Sequence, residues 1–435
     1  MISMDEYKAR RQRLLQQVGP GNGVIVFANN EVTRNGDNVY PFRQNSDFYY
    51  LTGFNEPDAV LVLTPDQEYE VTLFNRPRDL EQEQWTGPRV GQEGACKVLG
   101  MDAAYPIDEF PNQVQNILGQ CKKVYYAMGK VKAHDQLLLA SYDSLRKFQR
   151  RGKGMPDQFI NLDSLLHEMR LFKSLEEQRI MRQVASISAA AHCVAMQQTR
   201  VGGNEYQVAA AIKHHYFVAG CQEVAYQPIV ASGANATILH YVENRRQLQD
   251  GELLLIDSGA ELDNYAADIT RTFPINGRFS GEQKAIYELV LEAQLQAINL
   301  IKPGTKWNSL QNEIVKIITQ GLVDLGILRG NVEQLIATEA YKKVYMHGSG
   351  HWLGLDVHDV GDYKINNEWR ELEPGMVLTV EPGIYIGATE KSIDEKWHHI
   401  GVRIEDDVLV TATGCEVLSK EAPKQISDIE ALMND

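Results

Sequence analysis

Met346-His347-Gly348-Ser349-Gly350-His351-Trp352-Leu353-Gly354-Leu355-Asp356-Val357-His358-Asp359 is the stretch from which the rest of the chain can be read. Three histidines fall within twelve residues, in a sequence with only 11 histidines among 435 residues. Glycines surround them, and glycine lets backbone come close to a ligand or a neighbouring strand. An imidazole set among Trp352, Leu353 and Leu355 must find a partner for each ring nitrogen. A metal ion is one such partner, and a set of satisfied core histidines is the other reading. Carboxylates elsewhere in the chain decide between them.

Two stretches on either side supply those carboxylates. Gly251-Glu252-Leu253-Leu254-Leu255-Ile256-Asp257-Ser258-Gly259 reads as an apolar strand ending in an acid. Charged groups are rarely buried unless paired or metal-bound. Ala267-Asp268-Ile269-Thr270-Arg271-Thr272-Phe273 alternates as the next strand, after a turn at Asp263-Asn264. This predicts that Asp257 and Asp268 face one another on adjacent antiparallel strands. Two such carboxylates ionise together only at a cost, unless a cation sits between them. Pro374-Gly375-Met376-Val377-Leu378-Thr379-Val380-Glu381-Pro382-Gly383 repeats the pattern, with a glycine six positions before the acid in both. Gly401-Val402-Arg403-Ile404-Glu405-Asp406 alternates again and sets Arg403 and Glu405 on one face. Two strand pairs, each bringing two acids, point to an internally duplicated domain.

Asp257, Asp268, Glu381 and Glu405 carry four negative charges, and His351 adds a neutral nitrogen. Two divalent ions balance that charge. Oxygen-rich ligands with one imidazole suit manganese, magnesium, cobalt or zinc. Such ion pairs sit about 3.5–4 Å apart and share a water or hydroxide.

Composition bounds the remainder. The length favours two domains. A net charge of −15 excludes the basic stripe that a nucleic-acid surface needs. Five cysteines, none in a CxxC pair, suggest reduced thiols in a cytoplasmic protein. Residues 1–13 lack an apolar signal core, and no apolar run reaches the roughly 20 residues of a membrane helix. The first half reads as a mixed α/β domain. A charged helix is expected over residues 5–17, and strands over 23–28, 48–54, 59–64, 69–74 and 124–127. A further helix is expected over 137–149 and a linker over 150–156. A short helix follows over 163–171. Ser174-Leu175-Glu176-Glu177 is a capping box for a long helix. The domain boundary falls near Phe172, giving domains 1–172 and 173–435.

At this point the motifs resemble the aminopeptidase P branch of the pita-bread metallopeptidases, over essentially the whole chain. Phe42-Arg43-Gln44-Asn45-Ser46-Asp47-Phe48-Tyr49-Tyr50-Leu51-Thr52-Gly53 is similar to the amino-terminal signature of that family. The five stretches around Asp257, Asp268, His351, Glu381 and Glu405 match its catalytic motifs in order. The resemblance implies a mixed-sheet α/β domain followed by a pita-bread catalytic domain. It implies release of the first residue from peptides with proline second, by a hydroxide held between two metal ions, commonly manganese. Asp257, Asp268, His351, Glu381 and Glu405 are then the ligands, with Asp268 and Glu405 bridging. Glu381 handles the proton of the attacking water. His358 and His240 meet the substrate carbonyl. Arg403, Tyr385 and His347 form the surrounding shell, and Tyr226 and Arg370 contact substrate. Trp85, whose plainer reading is a core residue, would in the family reach the active site of an adjacent subunit of a homodimer or homotetramer. One departure stands out: Ser349 occupies a position where relatives usually carry leucine.

Three alternatives remain beside this reading. A methionine aminopeptidase shares the five ligands but normally lacks the leading domain. A prolidase acts only on dipeptides. Non-catalytic pita-bread modules and metal-free creatine hydrolases have lost ligands that all stand here.

Overall fold

The computed structural model describes residues 1–149, 152 and 154–434. The chain divides into two compact units, Met1–Arg170 and Leu171–Asp435. Part of the expected linker at 150–156 lies outside the described residues.

The first unit is built on a six-stranded mixed sheet. Its strand order is Ala103–Pro106, Val71–Asn75, Val60–Leu63, Asn22–Phe27, Lys123–Tyr125, Gln158–Ile160. The middle strands are largely apolar, with Val60–Leu63 buried along its whole length and Asn22–Phe27 buried at its four central residues. Val62, Phe74, Val124 and Leu138 meet in one cluster with Phe110 and Leu118 of the helix Phe110–Gln120. The opening helix Met4–Val18 is capped by Ser3, whose side chain accepts from the Glu6 amide.

One expected strand is a helix. Phe48-Tyr49-Tyr50-Leu51 has the aromatic content of a strand, yet Ser46–Thr52 is helical with all seven residues buried. Capping decides it. The Asn45 side chain accepts from the Phe48 amide, and Gly53 ends the helix in the left-handed region at φ 63°. An element apolar on every side carries no period by which helix and strand can be told apart. Arg10 and Arg11 serve this helix from outside, donating to the carbonyl oxygens of Tyr50 and Leu51 at 3.1 and 2.9 Å.

The second unit carries its strands in small antiparallel sheets. Leu253–Asp257 lies between Ile229–Ser232 and Thr270–Pro274, with Asp257 opposite Thr270. Asp406–Val410 lies between Val377–Val380 and Cys415–Val417. Gly383–Ile386 pairs with Ile400–Arg403. The halves lock together where Thr270–Pro274 meets the chain at 403–406. Arg271 donates to the Glu405 carbonyl at 2.6 Å and to the Asp406 carboxylate at 2.7 Å. The Thr272 hydroxyl donates to the Arg403 carbonyl at 3.0 Å. Long helices flank these sheets. Leu175–Gln198 starts at the Ser174–Glu177 capping box, and Gly281–Leu300 starts at a second one, Ser280 with Gln283.

Two acids sit beside their strands, where an uninterrupted alternation placed them inside. Asp268 precedes Thr270–Pro274 by two residues, and Glu405 lies in the break between Ile400–Arg403 and Asp406–Val410. The chain at Asp268 is pressed against its partner: a Cβ on Gly259 would lie 1.7 Å from the Ala267 carbonyl oxygen. Only glycine fits there.

A buried charge cluster in the first unit yields a prediction. Arg170 donates to Asp47 at 2.6 Å, and Lys130 joins at 3.1 Å. Burial opposes the charged form of Asp47, but His167, Arg170 and Lys130 overcome it and hold the carboxyl well below its ordinary range. Because the folded value is depressed, this stability is present above the unfolded value near 3.9 and is lost as pH falls toward the folded one. Asp47→Asn removes the charge that faces a buried guanidinium and is expected to cost about 3 kcal/mol or more at pH 7. Calorimetry at pH 7 and pH 3 checks this. A variant as stable as the parent at pH 7 contradicts it.

Candidate metal centre

One cavity of about 420 Å³ in the second unit gathers the residues that the sequence singled out. Asp257, Asp268, His351, Glu381 and Glu405 line it, and so do His240, His347, His358 and Arg403. Ligand atoms of Asp268, His351 and Glu405 lie within 4.8 Å of one another.

Each group is positioned by backbone. Asp257 ends its strand, and Glu381 follows directly on Val377–Val380 with its amide held by the Ser349 carbonyl at 2.9 Å. Glu405 is fixed through its amide to the Thr270 carbonyl at 3.1 Å. The Thr379 amide donates to the His351 carbonyl at 2.9 Å and the His351 amide donates to Thr379 Oγ1 at 3.1 Å, so the histidine-rich stretch is sewn to the strand leading to Glu381. That approach requires Gly350, where a Cβ would lie 2.2 Å from the Thr379 carbonyl oxygen.

The electrostatics call for a cation. His351 Nδ1 lies 3.0 Å from the Trp352 carbonyl oxygen, and a carbonyl only accepts, so Nδ1 carries the proton. Nε2 then faces Asp268 at 3.3 Å and Glu381 at 3.7 Å. A neutral nitrogen and two carboxylates all offer lone pairs, and something positive must stand among them. Without an ion the ring itself supplies the charge: burial alone would lower His351, but the hydrogen bond and charge of Asp268 win and raise it to about 9. The same His351 contact keeps Asp268 below its ordinary value in spite of burial. Burial raises Asp257, Glu405 and Glu381, the last to about 7. This donor set of four carboxylates and one imidazole, with lone pairs converging, fits divalent metal of the hard or borderline kind.

The shell around these groups is explicit. Arg403 donates to Asp257 at 2.5 Å, to the Tyr385 hydroxyl at 2.9 Å and to Thr270 Oγ1 at 3.1 Å. Thr270 in turn donates to Glu405 at 2.6 Å. His347 Nε2 lies 2.8 Å from the Tyr385 hydroxyl. The Tyr226 hydroxyl is 2.5 Å from oxygens of both Asp257 and Asp268, so its polar end is engaged with the carboxylates, where a substrate contact was expected. His240 and His358 are exposed at the cavity, and the His358 ring centre is 4.3 Å from that of His351. Arg370 is not among the lining residues. It is buried, with its guanidinium over the Phe172 ring and 3.8 Å from Glu373, and packing of its own takes it away from the cavity. Trp85 belongs to the first unit and is 82% exposed, contrary to a core placement.

Several contributors escaped the sequence reading. Tyr363 lines the cavity and accepts from the Trp352 amide at 3.1 Å. Asp407 accepts from the Asp268 amide at 3.2 Å, and the Asp406-Asp407 pair in an apolar strand was a usable signal for it. Glu205, fully buried, accepts from the Ser232 amide, the Tyr241 hydroxyl and the Arg246 amide, each at 2.8 Å. It clamps the segment that carries His240.

With this geometry in hand, relatives can be compared. Residues 179–412 match the description "Metallopeptidase family M24", and residues 7–125 match "Aminopeptidase P, N-terminal domain". The chain belongs to metallopeptidase family M24. Within it, the chain is 46% identical to the Xaa-Pro aminopeptidase of Escherichia coli, over 99% of this chain and 98% of the relative. It is 35% identical to human Xaa-Pro aminopeptidase 3, over 99% of this chain and 86% of the relative. Among solved structures, the Pseudomonas aeruginosa aminopeptidase PepP superposes with a TM-score of 0.98 at 50% identity, covering 100% of this chain and 98% of the other. A zinc-substituted E. coli aminopeptidase P in complex with product gives 0.96 at 46% identity, covering 100% and 98%. The fold is therefore an amino-terminal α/β domain followed by a pita-bread domain.

Two substitutions separate ligand from shell. Glu405→Ala is expected to lose bound metal and activity together. His358→Ala is expected to keep its metal and to lose kcat by about 10²–10⁴-fold, as a group acting only in the transition state does. Elemental analysis beside steady-state kinetics distinguishes them. Full metal content in Glu405→Ala, or metal loss in His358→Ala, reverses the assignment.

Proposed function

We propose that this protein is an Xaa-Pro aminopeptidase that holds two divalent ions, manganese foremost, and cleaves the bond before a proline at position two. The convergence of Asp257, Asp268, His351, Glu381 and Glu405 in one cavity with His240 and His358 carries the reading. The names of the chain's relatives support its proline specificity. Two bound ions would lower the pKa of a shared water to make a nucleophile near neutral pH and polarise the scissile carbonyl. The protein's own groups do the rest. Glu381 takes the proton of the attacking water and passes it toward the leaving prolyl nitrogen. His240 and His358 meet the substrate carbonyl and stabilise the tetrahedral intermediate. Arg403 fixes Asp257 and Tyr385, and Tyr385 fixes His347, so the ligand shell is oriented before substrate arrives. An Xaa-Pro bond is a tertiary amide without N–H, so a site that needs no such donor suits it.

The manganese-loaded enzyme is expected to release the first residue from Xaa-Pro-Yaa and to leave Xaa-Ala-Yaa largely intact. Turnover confined to Xaa-Pro dipeptides would make it a prolidase instead. Equal cleavage of both tripeptides would end the proline assignment.

The five thiols are unpaired, which supports a reducing, cytoplasmic setting. The helix Leu80–Thr86 buries none of its residues, with Leu80 75% and Trp85 82% exposed. An aromatic face left in solvent supports a homo-oligomer in which Trp85 covers a partner's pocket. Trp85→Ala is expected to raise KM or lower kcat for Xaa-Pro-Yaa while costing less than about 0.5 kcal/mol of stability. Melting temperature and kinetics on this one variant decide, and unchanged kinetics would remove Trp85 from the site.

A further inference from the structure

The metal cavity has a neighbour of about 310 Å³. Trp307, Asn308, Leu310, Gln311 and Trp369 line it, together with the segment 348–350 and Thr379. Gly348 and Gly350 line both cavities, so the two meet at the backbone directly before His351. Its size is that of a ligand site. Two indole rings and a leucine give it an apolar wall, and no charged side chain lines it among the described residues.

Ser349 keeps this space open. Its Oγ lies 2.6 Å from Gln311 Oε1, its amide donates to the same oxygen at 2.8 Å, and the Tyr345 hydroxyl also meets Oγ. The side chain is thus tied to Gln311 at 8% exposure. A leucine here would break that tie and put its branched end into the cavity. Asn308 adds a polar feature: its Oδ1 is buried and has no hydrogen-bond partner among the described residues. A buried acceptor left unmet is costly unless a donor comes from elsewhere.

We propose that this cavity is a subsite for the side chain of the substrate's first residue, and that it favours large uncharged side chains, aromatic ones above all. The proposal rests on the Xaa-Pro reading. The carbonyl under attack is flanked by the first residue's side chain on one side and by the prolyl ring on the other. The ring is compact and the same in every substrate, so of the two groups flanking the carbonyl the first side chain is the one variable enough to use a cavity of this volume. A tyrosine suits the walls and brings a donor that Asn308 can accept.

The test is a set of kcat/KM values for Ala-Pro-Ala, Tyr-Pro-Ala and Ala-Pro-Tyr, with metal content and melting temperature recorded for each variant. The parent enzyme is expected to prefer Tyr-Pro-Ala over Ala-Pro-Ala by about tenfold or more. Ser349→Leu fills the cavity and should reduce that ratio at least about tenfold, while the ratio of Ala-Pro-Tyr to Ala-Pro-Ala stays put. Using ratios cancels any general effect on the metal site. Trp369→Ala, on an exposed hairpin, removes a wall and should lower the same ratio; it decides the matter if Ser349→Leu does not fold. An unchanged first-residue ratio, or a change that follows the third residue, overturns the subsite. Failure of the parent to cut any of the three peptides would instead overturn the Xaa-Pro reading itself.

Discussion

Four carboxylates in one buried pocket repel each other, and the second unit is arranged around that repulsion. Burial makes each charge expensive, and proximity makes each pair worse. The fold answers with fixed positive and donating groups aimed inward. Arg403 neutralises Asp257, Tyr226 donates between Asp257 and Asp268, and Thr270 donates to Glu405. These donors leave several acid oxygens and the Nε2 of His351 facing one another. The remaining deficit of positive charge is what selects a cation over water.

The cluster holds its shape because a second ion pair stands behind it. Arg271 and Asp406 are both fully buried and meet at 2.7 Å, with Gln294 donating to Asp406 at 2.8 Å and Lys424 joining. Burial disfavours the Asp406 charge, but Arg271 and Lys424 hold its carboxyl far below the ordinary range. Arg271 also binds the Glu405 carbonyl. A side chain one residue past the start of Thr270–Pro274 therefore fixes the backbone of Glu405 from the other half. Breaking one member of such a pair leaves a buried charge alone, which is why structural residues here are as constrained as the ligands.

The sequence made some of this legible. Apolar strands ending in acids are unusual, because an acid at the end of a buried strand needs a partner, and both such strands led to the site. The Ser174 capping box was legible because its hydrogen bonds span only three residues. What stayed hidden depends on distant partners. The aromatic run at 48–51 became a helix because Asn45 and Gly53 cap it and its whole circumference is buried. Alternation through Asp268 and Glu405 suggested unbroken strands, whereas each acid sits where pairing lapses and the side chain can turn inward. Glu205 gave no local sign at all; the groups it binds at Ser232 and Arg246 lie 27 and 41 residues away.

The hydrogen bond from Arg271 to the Glu405 carbonyl joins residues 134 positions apart. A ribosome delivers the chain in order, so the half-site of Asp257 and Asp268 emerges long before Glu381 and Glu405 exist. During that interval the growing polypeptide has two of the four acids, and His351 follows them before either of the other two. The pocket closes only once residue 405 of 435 is free to reach back. Long-range closure of this kind comes late in folding. The pocket is therefore complete only in the nearly finished molecule, and a chain that stops before residue 405 lacks one of its four acids.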